Sequence, residues 1–231
     1  MLTEAEMQKL KVACLELPKS SVQEEESHVK GSPILILMST VLSLNRRWYL
    51  QALPARQYFE RNVYPSLTPK TLEGFRTFIA RTCNRSDWLT LARTLWNTRE
   101  VTKARMLSEL VDYFVAWHET NAPTLAEIEA LQKWATSTTE GQFLRSINGL
   151  GARAYQQLLW YLEGKGAIKF DRHVSNFLDE AVGHAVSEED KVQALRQIAN
   201  ELGISATALD ARIWDYMQHR SGERCQTSGA A

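Results

Sequence analysis

The chain lacks most of the features that identify a protein at a glance. Cysteine is scarce: Cys14, Cys83 and Cys225 lie far apart, with no CxxC spacing. That pattern excludes a disulfide framework, a cysteine zinc site and a cysteine-ligated iron–sulfur cluster, and it suits a reducing, cytosolic setting. Long hydrophobic runs are missing as well. The longest, Pro33 to Leu44, carries Ser39, Thr40 and Ser43 inside it. At about a dozen residues it is too short to span a bilayer and reads as a buried helix. The opening MLTEAEMQKLKVACLEL is charged throughout, which does not fit a secretory signal. No membrane partner is expected. The five histidines (His28, His118, His173, His184 and His219) show no ligand spacing, so no metal site is expected. Net charge is absent too, with 27 basic residues against 27 acidic ones.

What is present is ordinary globular composition: 231 residues, 44% hydrophobic and 23% charged. That excludes a wholly disordered or collagen-like chain and is ample for a sizeable core. Apolar residues recur at helical spacing in Leu107, Leu110, Val111, Phe114 and Trp117, and again in Leu158, Leu159 and Leu162. No run of alternating β-branched residues argues for a sheet. The pattern predicts an all-α chain with helices over 3–16, 33–44, 50–62, 69–82, 87–95, 99–119, 125–137, 140–147, 152–163, 172–182, 188–202 and 206–219. Thr68 before Pro69 reads as a helix start, Thr124 to Glu127 as a capping box, and Ser187 to Asp190 as an acidic first turn. Gly164, Gly183 and Gly203 read as stops. The organisation expected is an N-terminal helix and acidic loop over 1–32, a main helical region over 33–220, and a small, polar, disordered tail over 221–231.

The zero net charge hides a segregation. From Leu44 to Arg105 twelve bases face four acids, and from Arg145 to Arg172 five bases face two. Met106 to Leu144 and His173 onward are acidic instead. Helix surfaces of differing charge would give this pattern, and so would a basic groove concealed in a neutral total.

The sharpest local feature is Ile147-Asn148-Gly149-Leu150-Gly151-Ala152-Arg153 between two predicted helices. Two glycines around one apolar residue allow a tight turn, and the amides opening the second helix have no partners within it. Such a turn is a plain αα-hairpin, or a seat for a phosphate oxygen with Arg145 and Arg153 adding charge. Downstream stands Asp171 in Asp171-Arg172-His173-Val174, placed either to cap the next helix or to act as a chemical group.

Gly149-Leu150-Gly151 followed at this spacing by Asp-x-His-Val resembles the helix-hairpin-helix superfamily of base-excision DNA glycosylases, of the endonuclease III type. Leu42-Ser43-Leu44-Asn45-Arg46 is similar to that family's Leu-Ser-x-Gln/Asn signature, and Lys103-Ala104 after Asn97 to its basic-Ala step opening a long helix. The resemblance runs from about residue 33 to 219.

It implies a two-lobed helical fold with a helix-hairpin-helix motif and a cleft that holds duplex DNA bearing a damaged or mispaired base. The activity implied is hydrolysis of the bond between a flipped base and its sugar. Asp171 would supply the anion that stabilises the oxocarbenium-like sugar, as carboxylates do in sugar hydrolases. Gly149, Leu150, Gly151, Arg153 and Arg145 would bind DNA, where a monovalent cation at the hairpin would also fit. Asn45 would fill the gap left by the flipped base, or simply end its helix. Bifunctional members attack the sugar with a lysine at the position of Arg153. A guanidinium stays protonated and is a very poor nucleophile, so the resemblance implies a monofunctional enzyme, with Lys169 as the one substitute amine. The family commonly has Ala where Tyr155 stands, which implies altered packing of the hairpin helix. The family's four-cysteine cluster is absent, and no cofactor is expected. Trp48 and Trp134 are candidates for a base pocket or for the core, whereas Trp96, Trp117, Trp160 and Trp214 fall at core spacing. The expected setting is the cytoplasm, at the nucleoid in a bacterium. A catalytically silent DNA-binding module is the alternative.

Overall fold

The computed structural model describes residues 2–18, 29–44, 48–84, 87–147, 149–162 and 172–220, without the side chain of Tyr49. Among the described residues there are twelve α-helices and no strand, so the protein is all-α. They are α1 (Glu4–Leu15), α2 (Pro33–Ser43), α3 (Leu53–Asn62), α4 (Leu72–Cys83), α5 (Trp88–Trp96), α6 (Val101–Asn121), α7 (Glu127–Ser137), α8 (Glu140–Ser146), α9 (Ala152–Tyr161), α10 (Arg172–Val182), α11 (Glu188–Glu201) and α12 (Ala206–Arg220). No described helix is long and apolar enough to cross a membrane.

The chain forms two compact units. One comprises His28–Lys165, and the other joins Met1–Ser27 to Gly166–Ala231. The first is organised around α2, whose residues Ile34 through Leu42 are all buried. Pro33 opens that helix and the Ser32 hydroxyl accepts from the Leu35 amide. Helices α3, α4, α6, α7 and α9 pack around it. Burying each Ile, Leu or Val of α2 is worth about 1.5–3 kcal/mol, which explains why a helix with no charged residue sits at the centre. A second centre is aromatic. Trp134 is wholly buried against Phe114, Phe143 and Tyr155, at ring separations of 4.9, 5.6 and 5.8 Å. Its indole N–H donates to the Tyr113 hydroxyl at 2.9 Å.

In the other unit α1, α10, α11 and α12 bury Leu10, Cys14, Val174, Leu178, Leu195, Ile198, Leu209 and Ile213. Burial pushes the Cys14 thiol up to about 12, as expected of an inert core cysteine. Lys191 is buried but satisfied, donating to Ser175 Oγ and Asp179 Oδ2 at 2.7 Å each. Cys83 is also buried and free, and Cys225 lies outside the described residues.

Several local expectations need correction. Thr68-Pro69 does not open a helix: α4 begins at Leu72, capped by Thr71, whose hydroxyl accepts from the Gly74 amide at 3.0 Å. Thr124 to Glu127 is not a capping box, because α7 begins at Glu127 itself. The Glu127 carboxylate reaches across to the Leu72 amide at 2.8 and 2.9 Å, satisfying an orphan donor of α4. The helix expected from residue 50 is a π-helical turn over Trp48–Ala52 before α3. Pro54 lacks an amide hydrogen and cannot continue an α-helical ladder backward there. Ser187 does cap α11, its hydroxyl accepting from Asp190 N at 3.2 Å. Gly183 and Gly203 do end helices with positive φ, at 95° and 68°. Gly164 and the 221–231 tail lie outside the described residues.

Candidate functional site

The glycine turn links α8 to α9 through backbone that only part of its sequence could support without glycine. Gly149 has φ of 83°, in the left-handed region where a β-carbon is strained. Ile147 and Leu150 are buried and pin the turn to the body of the unit. Gly151 is the N-cap of α9, in extended backbone and with no side-chain cap. The Gly151 carbonyl accepts from the Ala154 amide at 2.9 Å, and the Ala152 and Arg153 amides, which precede that bond, stand at the positive end of the helix dipole with no side chain at the cap to accept from them. A β-carbon at Gly151 would meet nothing within 4 Å, so the turn faces open space there.

That open space is a recess of about 530 Å³. Its lining includes Gly149, Gly151 and Arg153 from the turn and the start of α9, Arg99, Lys103 and Met106 from around the start of α6, and Leu44 from the end of α2. Three sequence features more than forty residues apart from one another thus share one cavity: the Leu-Ser-Leu end of α2, the Lys-Ala step and the glycine turn. Lys103 is in the first turn of α6, the longest described helix. Ser43 Oγ lies 3.4 Å from Gln157 Oε1, joining the end of α2 to α9. Among the described residues of the lining, Arg99, Lys103 and Arg153 outnumber the one acid, Glu100. Chemically, exposed helix-opening amides beside guanidinium and ammonium groups suit an anion.

The remaining candidates fall elsewhere. Arg145 is exposed in the last turn of α8 and does not line the recess. Trp134 is core, as described above. Trp48 is half-buried with the Arg56 guanidinium 5.3 Å above its ring, a cation–π contact. Neither tryptophan lines the recess. Trp96 and Trp160 are buried, and Trp117 and Trp214 are half-buried. Asn45, Lys169 and Asp171 lie outside the described residues. His173 is described, and its Nε2 is 3.0 Å from the Gln218 amide nitrogen.

Tyr155, the departure noted in the hairpin helix, is accommodated by a bond of its own. Its hydroxyl donates to the Thr138 carbonyl at 2.7 Å, and burial, followed by the charge of Glu140, pushes its phenol above the ordinary range. Arg99 and Met106 were not singled out by sequence. The i, i+4 spacing of Arg99 and Lys103 at a helix start was the available signal, within the basic stretch already noted.

Among the described residues no group of three or more His, Cys, Asp and Glu could hold a metal ion. The chain matches no curated protein and no solved structure. Residues 62–218, more than half of the chain, match the model of a domain of unknown function, DUF8548, and the chain belongs to that family.

Proposed function

We propose that this chain is a monofunctional DNA glycosylase that binds duplex DNA around a damaged or mispaired base and hydrolyses that base's N-glycosidic bond. The observation that carries the reading is the convergence of the α2 end, the Lys103 step and the Gly149–Arg153 turn on one basic recess. Three motifs named from the resemblance, and scattered in sequence, line it together, which supports the reading. The anion suited to the recess is a backbone phosphate. Such contacts position a duplex without reading its sequence.

The chemistry follows from the residues. The target base must leave the stack before its bond is accessible. As the bond breaks, positive charge grows on the sugar, and the Asp171 carboxylate is the anion proposed to stabilise it and to orient water. Arg153 cannot become a neutral amine at working pH, so no Schiff base forms there and the product is an abasic site in an intact strand.

The test is base release from duplexes that each carry one lesion: alkylated, oxidised, deaminated or mispaired. An abasic product that breaks only on later alkali treatment is expected for at least one of them. Salt-sensitive binding without release from any of them would assign the chain to the catalytically silent module instead.

A further inference from the structure

Helix α4 turns one face toward the segment that leads into it. Gly74, Thr77, Phe78 and Arg81 recur at i, i+3, i+4 and i+7, so they share one side of the helix. With the 66–69 segment they line a second cavity, of about 340 Å³, which is within the size range of small-molecule sites. No residue lines both this cleft and the basic recess. Gly74 sets its width: a β-carbon there would run into the Pro69 carbonyl oxygen, so only glycine lets the 66–69 segment lie this close to α4.

The cleft joins an anchored ring to an unused cation. Phe78 is half-buried and stacks on Phe75 at 6.3 Å, and Phe75 packs on Phe59 at 5.7 Å. The outermost ring of that row is held in place while part of it stays open to a ligand. Arg81 is exposed in the last turn of α4, where the helix dipole favours a cation. Its guanidinium has no hydrogen bond or ion pair among the described residues, unlike that of Arg76 on the same helix, which Glu73 holds at 2.7 Å. The Thr77 hydroxyl, one turn before Arg81, is likewise unbonded among the described residues.

The charges decide what fits. The amides that open α4 are occupied, Leu72 N–H by Glu127 and Gly74 N–H by Thr71. An anion in the cleft therefore goes to Arg81. A phosphate dianion would bring more charge than one guanidinium neutralises, with Glu73 in the same lining opposing it. A carboxylate brings a single charge and a planar pair of oxygens that matches the guanidinium fork. Phe78 and Arg81 are three residues apart on the helix, so their β-carbons are about 5–6 Å apart. A ligand that uses both carries its ring and its carboxylate a few bonds from each other.

We propose that the cleft between the 66–69 segment and α4 binds a carboxylate carried next to an aromatic ring. The ring lies against Phe78 and Pro69, the carboxylate pairs with Arg81, and the Thr77 hydroxyl is a further donor to it. A free arylalkyl carboxylate and the C-terminal phenylalanine of a peptide share this chemistry. The site stands independently of the glycosylase reading.

The experiment titrates hydrocinnamate, a propionate bearing a phenyl ring, into the full chain and follows the amide resonances of Gly74, Thr77 and Phe78 by NMR. Saturable shifts are expected. Hydrocinnamide keeps the ring without the charge, and acetate keeps the charge without the ring; each should bind about tenfold more weakly. Arg81→Gln should weaken hydrocinnamate about tenfold with an unchanged melting temperature, because the side chain is exposed, and Arg81→Lys should weaken it less. The tripeptide Gly-Gly-Phe separates the two sources. Tighter binding than hydrocinnamate, lost when its C-terminus is amidated, assigns the site to a peptide end; weaker binding assigns it to the free acid. Absence of saturable shifts with both probes, equal binding of hydrocinnamide, or unchanged affinity in Arg81→Gln would overturn the proposal. Base release by the same preparation bears on the glycosylase reading alone.

Discussion

The Tyr155 hydroxyl donates to the Thr138 carbonyl at 2.7 Å, tying α9 to the residue that ends α7. The same ring packs 5.8 Å from Trp134 and 5.7 Å from Phe143. Helix α9 is thereby tied to α7 and α8. The bond and the packing are separable. Tyr155→Phe should cost about 1 kcal/mol, the net worth of one hydrogen bond. Tyr155→Ala should cost about 3 kcal/mol, through the cavity left beside Trp134. Denaturant unfolding of both variants checks the order; equal losses would mean that the ring contributes nothing.

The two glycines of the turn should respond differently to alanine. Gly149→Ala forces a β-carbon into left-handed backbone and should destabilise the fold by about 1–2 kcal/mol. Gly151→Ala meets no neighbouring atom and should stay within about 1 kcal/mol of the wild type. Its methyl would stand beside the first α9 amides, so duplex binding should weaken while melting hardly moves. Paired melting and binding curves test this, and equal destabilisation by the two substitutions would contradict it.

The helical layout was largely legible in the sequence because its signals are local. Helical spacing, Ser187 as a cap, and Gly183 and Gly203 as stops each act within a turn or two, and the twelve helices overlap the predicted spans, with α3 and α4 starting three residues later than expected. What misled was long-range. Glu127 caps α4 across 55 residues, so its role in Thr124–Glu127 could not be read from neighbours. Lys103 serves carbonyls 59 to 62 residues away, so it registered only as a basic residue before Ala104. Trp134 looked like a pocket candidate until Phe114, Phe143 and Tyr155 closed around it. At the recess the turn was visible in advance, but Arg99 and Met106 were not. A helix start three-dimensionally opposite a turn leaves no mark on either segment.

The N-terminal helix should be tied down in a pH-dependent way. Glu6 Oε1 lies 2.7 Å from His184 Nε2. The His184 hydrogen bond, followed by those from Thr3, lowers the Glu6 carboxyl from 4.5 to about 2. Glu6 in turn is the main cause raising His184 above 6.5. The carboxylate contribution is present above 4.5 and lost as pH falls toward 2; the imidazolium contribution is complete below 6.5 and lost as pH rises through its raised value. The pair therefore helps most between 4.5 and 6.5. Both groups are near solvent, so the effect is modest and screened by salt. His184→Ala should lower the melting temperature more at about pH 5.5 than at about pH 9, where the imidazolium contribution is diminished. A deficit equal at both would show that the ion pair is not its source.

Arg153→Lys should convert the proposed chemistry. An amine at that position can attack the sugar carbon and form a Schiff base, which borohydride reduces to a permanent protein–DNA link. The variant should yield that link on a lesion duplex, and the wild type should not. Trapping by the wild type would point to Lys169 as the amine and refute the monofunctional reading.

The most direct measurement is single-turnover base release by the wild type and by Asp171→Asn, on the lesion duplex that the wild type processes best. If Asp171 stabilises the developing sugar cation, removing its charge should slow release by about 10²–10³-fold, while duplex affinity stays within about twofold. Release by Asp171→Asn at the wild-type rate would contradict the account, because the group assigned to the chemistry would then have no part in it.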